Sequence, residues 1–345
     1  MPNATSRARS RRGCRPGLAA AGRLPGEPAD FGEFWRETLK EAAQWDPLLS
    51  VIPVETGLRL TETWDVTFRG FAGDPIRAWF SRPTGVERDA PLPAVVEYAG
   101  YGRGRGLPHE RLTWVNAGYA HLLMDNRGQG DQYGCGGDTP DPQAGTAPGG
   151  PGAAARGLLA PHDFHYRRLI TDAVRAVAAV RALPGVDADR VAAVGNSQGG
   201  GLALAVAGLV PDLAAALVTA PFLCGIRRAL DLTDASPYGE ISAFLAVHRG
   251  AETAAHRTLS YMEGISFARR AHAPAHFGVG LRDTVCPPSG AYGAYNRYAE
   301  LSGGTAPRKE IHCYPYNGHE GGDAVHVRRQ LDWLAELSGF SSRRG

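Results

Sequence analysis

Among the residues that could do chemistry, Ser197 stands out by its neighbours. It lies in GNSQGG, Gly195 to Gly200, after the apolar run VAAV and before GLALAVAG. The pattern G-x-S-x-G therefore falls between an expected strand and an expected helix, the context of a nucleophile elbow. So sharp a turn strains the serine backbone and leaves no room for side chains two residues to either side, which glycine provides. The hydroxyl is lifted to a helix N-terminus, where the helix field favours a developing anion. A phosphate-binding turn would be the alternative, but the P-loop lysine and the G-x-G-x-x-G spacing are absent.

A serine hydroxyl becomes a nucleophile only when a base takes its proton, and the base needs a carboxylate to orient it. In the α/β-hydrolase order the acid and then the histidine follow the serine in the chain, each on a loop after a strand. Asp283 in RDTVCPP follows the apolar run PAHFGVGL, and His319 in YNGHEGG follows EIHCYP, flanked by Gly318, Gly321 and Gly322. Asp125 also ends a strand but precedes the serine, so it reads as structural. His312 falls within a strand as a core histidine, His326 within the last helix, and Glu320 beside the base points elsewhere. Two backbone amides must await the oxyanion. One belongs to Gln198, and the other is expected from the glycine-rich loop VVEYAGYGRGRG.

The elements that must position these groups can be read from periodicity. Asp30 to Trp45 is expected to be a helix with a capping-box start at Asp30 and Glu33 and a face of Phe31, Phe34, Trp35, Leu39 and Ala42. TWDVTF and PIRAWF alternate in the manner of an antiparallel hairpin at the sheet edge, with Trp64, Val66 and Phe68 on one face and Ile76, Ala78 and Phe80 on the other strand. PAVVEY, YAHLLMD, VAAVGN, AALVTA, PAHFGVGL and EIHCYP are short apolar runs without strict alternation, separated mostly by helical stretches. They predict an α/β fold with a doubly wound, mostly parallel sheet. The Gly-, Pro- and Ala-rich stretch from Cys135 to Ala160 predicts a long irregular excursion, and residues 224–271 predict a helical cap over the carboxyl ends of the strands. Residues 29–345 are thus expected to form one domain after a basic leader over 1–28.

Composition sets the outer limits. Hydrophobic residues at 43% and charged residues at 21% suit a water-soluble globular chain, and no apolar run approaches the roughly 18 residues of a membrane span. Net charge is +2, but the segment through Arg23 holds six arginines and no acid, leaving the rest four charges negative. A mildly acidic body argues against a nucleic-acid partner. The pair Arg11–Arg12 lacks the uninterrupted apolar segment of an export signal, since Gly13, Arg15, Pro16 and Gly17 follow. Five scattered cysteines form no disulfide framework and fit a cytoplasmic location. His162 and His165 lie close together, yet in a proline-led segment without cysteine ligands nearby. His272 and His276 have the spacing of a helical zinc pair, but Pro274 between them argues for a loop or a strand start. The sequence therefore points to no metal and no cofactor.

The motifs RGQG (Arg127 to Gly130), GNSQGG and HEGG (His319 to Gly322), with EYAGYGRGRGLPHE, YRRLITDAVRAV, APFLCGIRRAL, RTLSYMEGISFARRA and CPPSGAYGAYN around them, give the chain its resemblance. From about Phe31 to Leu337 it resembles the acetyl xylan esterases and cephalosporin C deacetylases of carbohydrate esterase family 7. The resemblance implies an acetyl-specific serine esterase with Ser197 as nucleophile, His319 as base and Asp283 as its orienter. It places the oxyanion donors at the backbone amides of Tyr101 and Gln198, and makes Arg127 and Gln129 braces of the site. It also implies a homo-oligomer, a hexamer with inward-opening sites, acting on small acetylated oligosaccharides and cephalosporin-type esters. A dienelactone-type hydrolase, a peptidase and a catalytically silent binding protein are the other readings of the same fold.

Overall fold

The computed structural model describes residues 26–87, 90–143 and 152–337. The expected leader up to residue 25 and residues 144–151 of the excursion lie outside the described residues.

The chain opens with α1 (Phe31–Ala43), whose Phe31, Phe34, Trp35, Thr38 and Ala42 are buried at helical spacing. The expected capping box does not form. Asp30 accepts instead from the Tyr261 hydroxyl at 2.8 Å, a tertiary bond that competes with the local one. Three antiparallel strands follow, β1 (Leu48–Val54), β2 (Thr61–Arg69) and β3 (Pro75–Pro83). The hairpin pairs Trp64 with Phe80, Val66 with Ala78 and Phe68 with Ile76, so the two apolar faces coincide. β1, which the sequence pattern leaves unassigned, extends this hairpin and forms the true edge.

The parallel strands are β4 (Leu92–Tyr98), β5 (Ala120–Met124), β6 (Val186–Asn196), β7 (Ala215–Thr219), β8 (Ala275–Gly280) and β9 (Lys309–Tyr314). The sheet runs β1-β2-β3-β5-β4-β6-β7-β8-β9, with β3 joining β5 antiparallel and the contacts from β5 to β9 all parallel. Because β5 lies on one side of β4 and β6 on the other, the strand order reverses between β4 and β6, where α/β sheets open a crevice at their carboxyl ends.

Alternation divides the sheet between two cores. Val96, Ala193 and Val218 face the larger one, with α3 (His165–Arg181), α4 (Gln198–Leu209), α8 (Gly264–Arg270) and α9 (Pro288–Arg297) packed around it. Val95, Val194 and Leu217 face the smaller one, with Trp114 of α2 (Thr113–Asn116) and Trp333 of α10 (Asp323–Glu336). Between β7 and β8 the second long insertion holds α5 (Ile226–Leu232), α6 (Tyr238–Val247), α7 (Glu252–Ser260) and α8. The described end of the glycine- and alanine-rich excursion is tightly packed. Ala153 to Ala155 are buried, and a Cβ at Gly152 would fall 2.2 Å from Glu240 Oε2 of α6. Small residues there permit close approach to the cap.

Candidate active site

Ser197 sits at the end of β6, one residue before α4, with φ 61° and ψ −121°. That positive φ is strained for a residue with a Cβ. Its amide donates to Thr219 O at 3.0 Å, and its carbonyl accepts from Gly201 N and Phe222 N, each at 3.0 Å, so the turn is held from three sides. A Cβ at Gly195 would lie 2.2 Å from the Gly199 carbonyl carbon, and one at Gly199 would lie 2.0 Å from Tyr98 O. The two glycines are therefore steric requirements of the elbow, as the motif implied.

The loop after β9 brings His319 to the serine, and the loop after β8 brings Asp283 to the histidine. Ser197 Oγ donates to His319 Nε2 at 2.8 Å, and His319 Nδ1 donates to Asp283 Oδ2 at 2.8 Å. The other carboxylate oxygen, Oδ1, accepts from Val285 N and Cys286 N, both at 2.8 Å. Asp283 is buried while the His319 side chain is 28% exposed, so the imidazole faces the opening. Ser197, His319 and Tyr101 line one cleft of about 700 Å³, together with Arg103, Gln132, Tyr133 and Pro237. A cavity of this size holds a small ligand.

Tyr101 follows β4 and Gln198 opens α4, on the two sides of the crevice between β4 and β6. The amide of Gln198, the first residue of a helix, is one that no intrahelical acceptor satisfies. One side chain spans both segments. Gln129 Oε1 accepts from Gly102 N at 2.9 Å, and its Nε2 donates to Gln198 Oε1 at 3.0 Å and to His165 Nε2 at 3.2 Å. Tyr166 also donates to Gln198 Oε1, at 2.8 Å. On the far side the Tyr101 hydroxyl donates to Glu240 Oε2 at 2.5 Å, which ties the residue to the cap. Burial and the Glu240 carboxylate push the Tyr101 phenol upward, so it remains a donor.

Arg127 does not reach the cleft; it is fully buried beneath it. Its Nε and Nη2 donate to both oxygens of Asp172 at 2.5 and 2.7 Å, and its Nη1 to Asp74 at 3.0 Å and Asp141 at 3.3 Å. Asp141 also accepts from Arg168 at 3.0 and 2.7 Å and from His165 Nδ1 at 3.2 Å. The ion cluster thus continues through His165 into Gln129. Asp125 is structural, accepting from Arg105 N, Asp138 N and the Thr139 hydroxyl at 2.8, 2.7 and 2.8 Å. Asp141, His165, Asp172 and Glu240 do not stand out as site residues in the sequence. The available signal was Arg168 and Asp172, one helical turn apart on the buried face of α3, where charge demands a partner.

With Asp141 ionised, His165 carries its proton on Nδ1 and accepts from Gln129 through Nε2. Burial pushes its pKa down to about 4, against the pull of Asp141. The folded value lies below the ordinary one near 6.5, so the native state binds fewer protons than the unfolded chain as pH falls below that point. This contribution is complete above about pH 6.5 and is lost on descent through pH 4, at up to ~1.4 kcal/mol per pH unit. Urea unfolding of wild type and His165→Gln across that window is expected to show a stability slope smaller by close to one proton in the variant. Equal slopes would contradict the assignment.

The acetyl xylan esterase family profile matches residues 23–337. The chain belongs to the acetyl xylan esterase family. Family membership makes it a carboxylic ester hydrolase, and its sheet is that of the α/β-hydrolases. An acetyl xylan esterase from a Paenibacillus species is 36% identical, with a TM-score of 0.81 over 90% of this chain and 96% of that one. Acetyl xylan esterase 1 from a Thermoanaerobacterium species is 31% identical, with a TM-score of 0.77 over 88% of this chain and 94% of that one. An acetyl esterase of Xylanibacter ruminicola is 26% identical over 89% of this family member, which spans 66% of that relative's length. Among the described residues no helix is long and apolar enough to cross a membrane.

Proposed function

We propose that this chain removes acetyl groups from acetylated xylo-oligosaccharides and from small acetyl esters of the cephalosporin C type, by a two-step acyl transfer. His319 Nε2 takes the proton of Ser197 as the serine oxygen bonds to the acetyl carbonyl carbon. The carbonyl oxygen becomes an oxyanion received by the amides of Tyr101 and Gln198. The intermediate collapses by breaking the bond to the sugar oxygen, which leaves as an alcohol with the proton from His319. Water then gives a proton to His319 and attacks the acetyl-serine, releasing acetate and restoring the hydroxyl. Asp283 holds the imidazole in the required tautomer throughout. A homo-oligomer, hexameric as the resemblance implies, and a cytoplasmic location belong to the same proposal.

The observation that carries this reading is the unbroken relay Ser197–His319–Asp283, with both links at 2.8 Å, at the wall of an open cleft. A p-nitrophenyl ester series tests the acyl preference. Each methylene that a closed pocket refuses is worth about 1–3 kcal/mol, so kcat/KM is expected to fall at least ~10-fold from acetate to butyrate. Acetate release should appear with acetylated xylo-oligosaccharides and with cephalosporin C. A flat acyl series, or no acetate from either substrate, would overturn the proposal.

A further inference from the structure

On the face of the sheet opposite α4, three histidines from three elements meet. Parallel register sets His276 of β8 beside Glu310 of β9, and the two-residue period of the strand brings His312 to the same face. His326 of α10 lies over them. The ring centroids of His276 and His312 are 4.8 Å apart, and those of His276 and His326 are 5.0 Å apart with planes inclined at 29°.

The hydrogen bonding is incomplete in an unusual way. His276 is 0% exposed, yet neither of its ring nitrogens has a partner among the described residues. A neutral imidazole offers one donor and one acceptor, and buried groups of that kind are almost always satisfied. Glu310 is already oriented: its Oε1 accepts from Trp333 Nε1 at 3.1 Å and from Arg308 at 2.6 Å. Its other oxygen, Oε2, lies 3.8 Å from His312 Nε2. That is too far for a hydrogen bond, and it suits two ligands that share one metal ion at roughly 2.0–2.2 Å each. The ligand atoms of His276, Glu310 and His312 all lie within 4.8 Å of one another. Glu310 and His312 are half-buried, which leaves an entrance from solvent, while His276 closes the back.

We propose that His276, Glu310 and His312 form a binding site for a divalent transition-metal ion of the zinc class. Two imidazole nitrogens and a carboxylate oxygen match the preferences of zinc, whereas magnesium and calcium require oxygen ligands throughout. His326 stays outside the ligand set, because its Nε2 is directed at Gly278, where an added Cβ would be 2.3 Å away. Its ring stacks on His276 and fixes the plane of that ligand. Arg329 Nη1 donates to His312 Nδ1 at 2.8 Å; on metal binding through Nε2 the proton moves to Nδ1 and this exposed arginine turns to water. The nearby charges balance, Arg308 and Arg329 against Glu310 and Glu336. An ion here would cross-link β8 and β9, the two strands after which Asp283 and His319 follow. This site is independent of the acyl-transfer proposal.

The test uses the untagged full chain, stripped with a chelator and titrated with zinc chloride by calorimetry, with metal content per chain measured after gel filtration. One zinc ion per chain is expected, with an increase in Tm, and excess magnesium chloride should leave zinc binding unchanged. His312→Gln and Glu310→Gln, both at half-buried positions, should each weaken zinc binding at least ~10-fold, in the range by which lost ligand-sphere groups reduce affinity. His276→Leu should abolish the zinc-dependent rise in Tm, and Ser197→Ala should bind zinc as wild type does. Absence of stoichiometric zinc, or wild-type affinity in both His312→Gln and Glu310→Gln, would overturn the proposal.

Discussion

Replacing Ser197 with alanine is expected to lower kcat for p-nitrophenyl acetate by ~10⁴ to 10⁶, the range found when a triad nucleophile is removed. The loss is large because in the proposed mechanism the hydroxyl oxygen is the atom that bonds to the acyl carbon. The change deletes one oxygen from a residue that is 8% exposed and leaves the backbone bonds of the turn in place. Tm should therefore remain within a few degrees of wild type. Steady-state kinetics with thermal unfolding on the same preparation checks both parts. Near-wild-type turnover in Ser197→Ala would remove the serine from the mechanism.

Arg127→Ala should produce the largest loss of stability. The guanidinium is the common partner of Asp172, Asp74 and Asp141, which come from α3, the β2–β3 link and the segment after β5. Removing one member of a buried ion network leaves unpaired charge and costs about 3–5 kcal/mol. For a domain of this size that corresponds to a fall in Tm of roughly 5–15 °C. Arg127→Lys should recover only part of it, since one ammonium cannot hold both oxygens of Asp172 and reach Asp74 as well. Activity should fall in the surviving folded protein too, because Asp141 is shared with the His165–Gln129 chain that spans the Gly102 and Gln198 segments. Thermal unfolding of both variants beside wild type provides the measurement, and a loss below about 1 kcal/mol in Arg127→Ala would show that the cluster relaxes around the missing charge.

What could be read from sequence was chemistry enforced by local geometry. Gly195 and Gly199 are written into the motif because a Cβ at either position collides with backbone, that of Gly199 in the first case and of Tyr98 in the second. The meeting of Asp283 and His319 with Ser197 was legible because each follows a strand, buried β8 and half-buried β9, in the chain order that the fold requires. Asp141, His165 and Glu240 were not, since their roles depend on contacts between segments: 24 residues separate His165 from Asp141, and 139 separate Glu240 from Tyr101. Nothing local marks a carboxylate as buried. β1 was missed for a different reason. It contains Pro53, and as an edge strand with Val51, Ile52 and Pro53 exposed it shows no clean alternation. The capping box failed because Asp30 found Tyr261, a partner 231 residues away.

In the proposed mechanism the Ser197 hydroxyl attacks the acyl carbon with His319 as its base. The most direct test is covalent labelling by a fluorophosphonate, followed by peptide mapping in a mass spectrometer. One adduct per chain is expected, located on Ser197, forming in step with loss of esterase activity and much more slowly in His319→Ala. An enzyme that retained full activity with Ser197 quantitatively labelled, or that lost activity through an adduct at another residue, would contradict this mechanism.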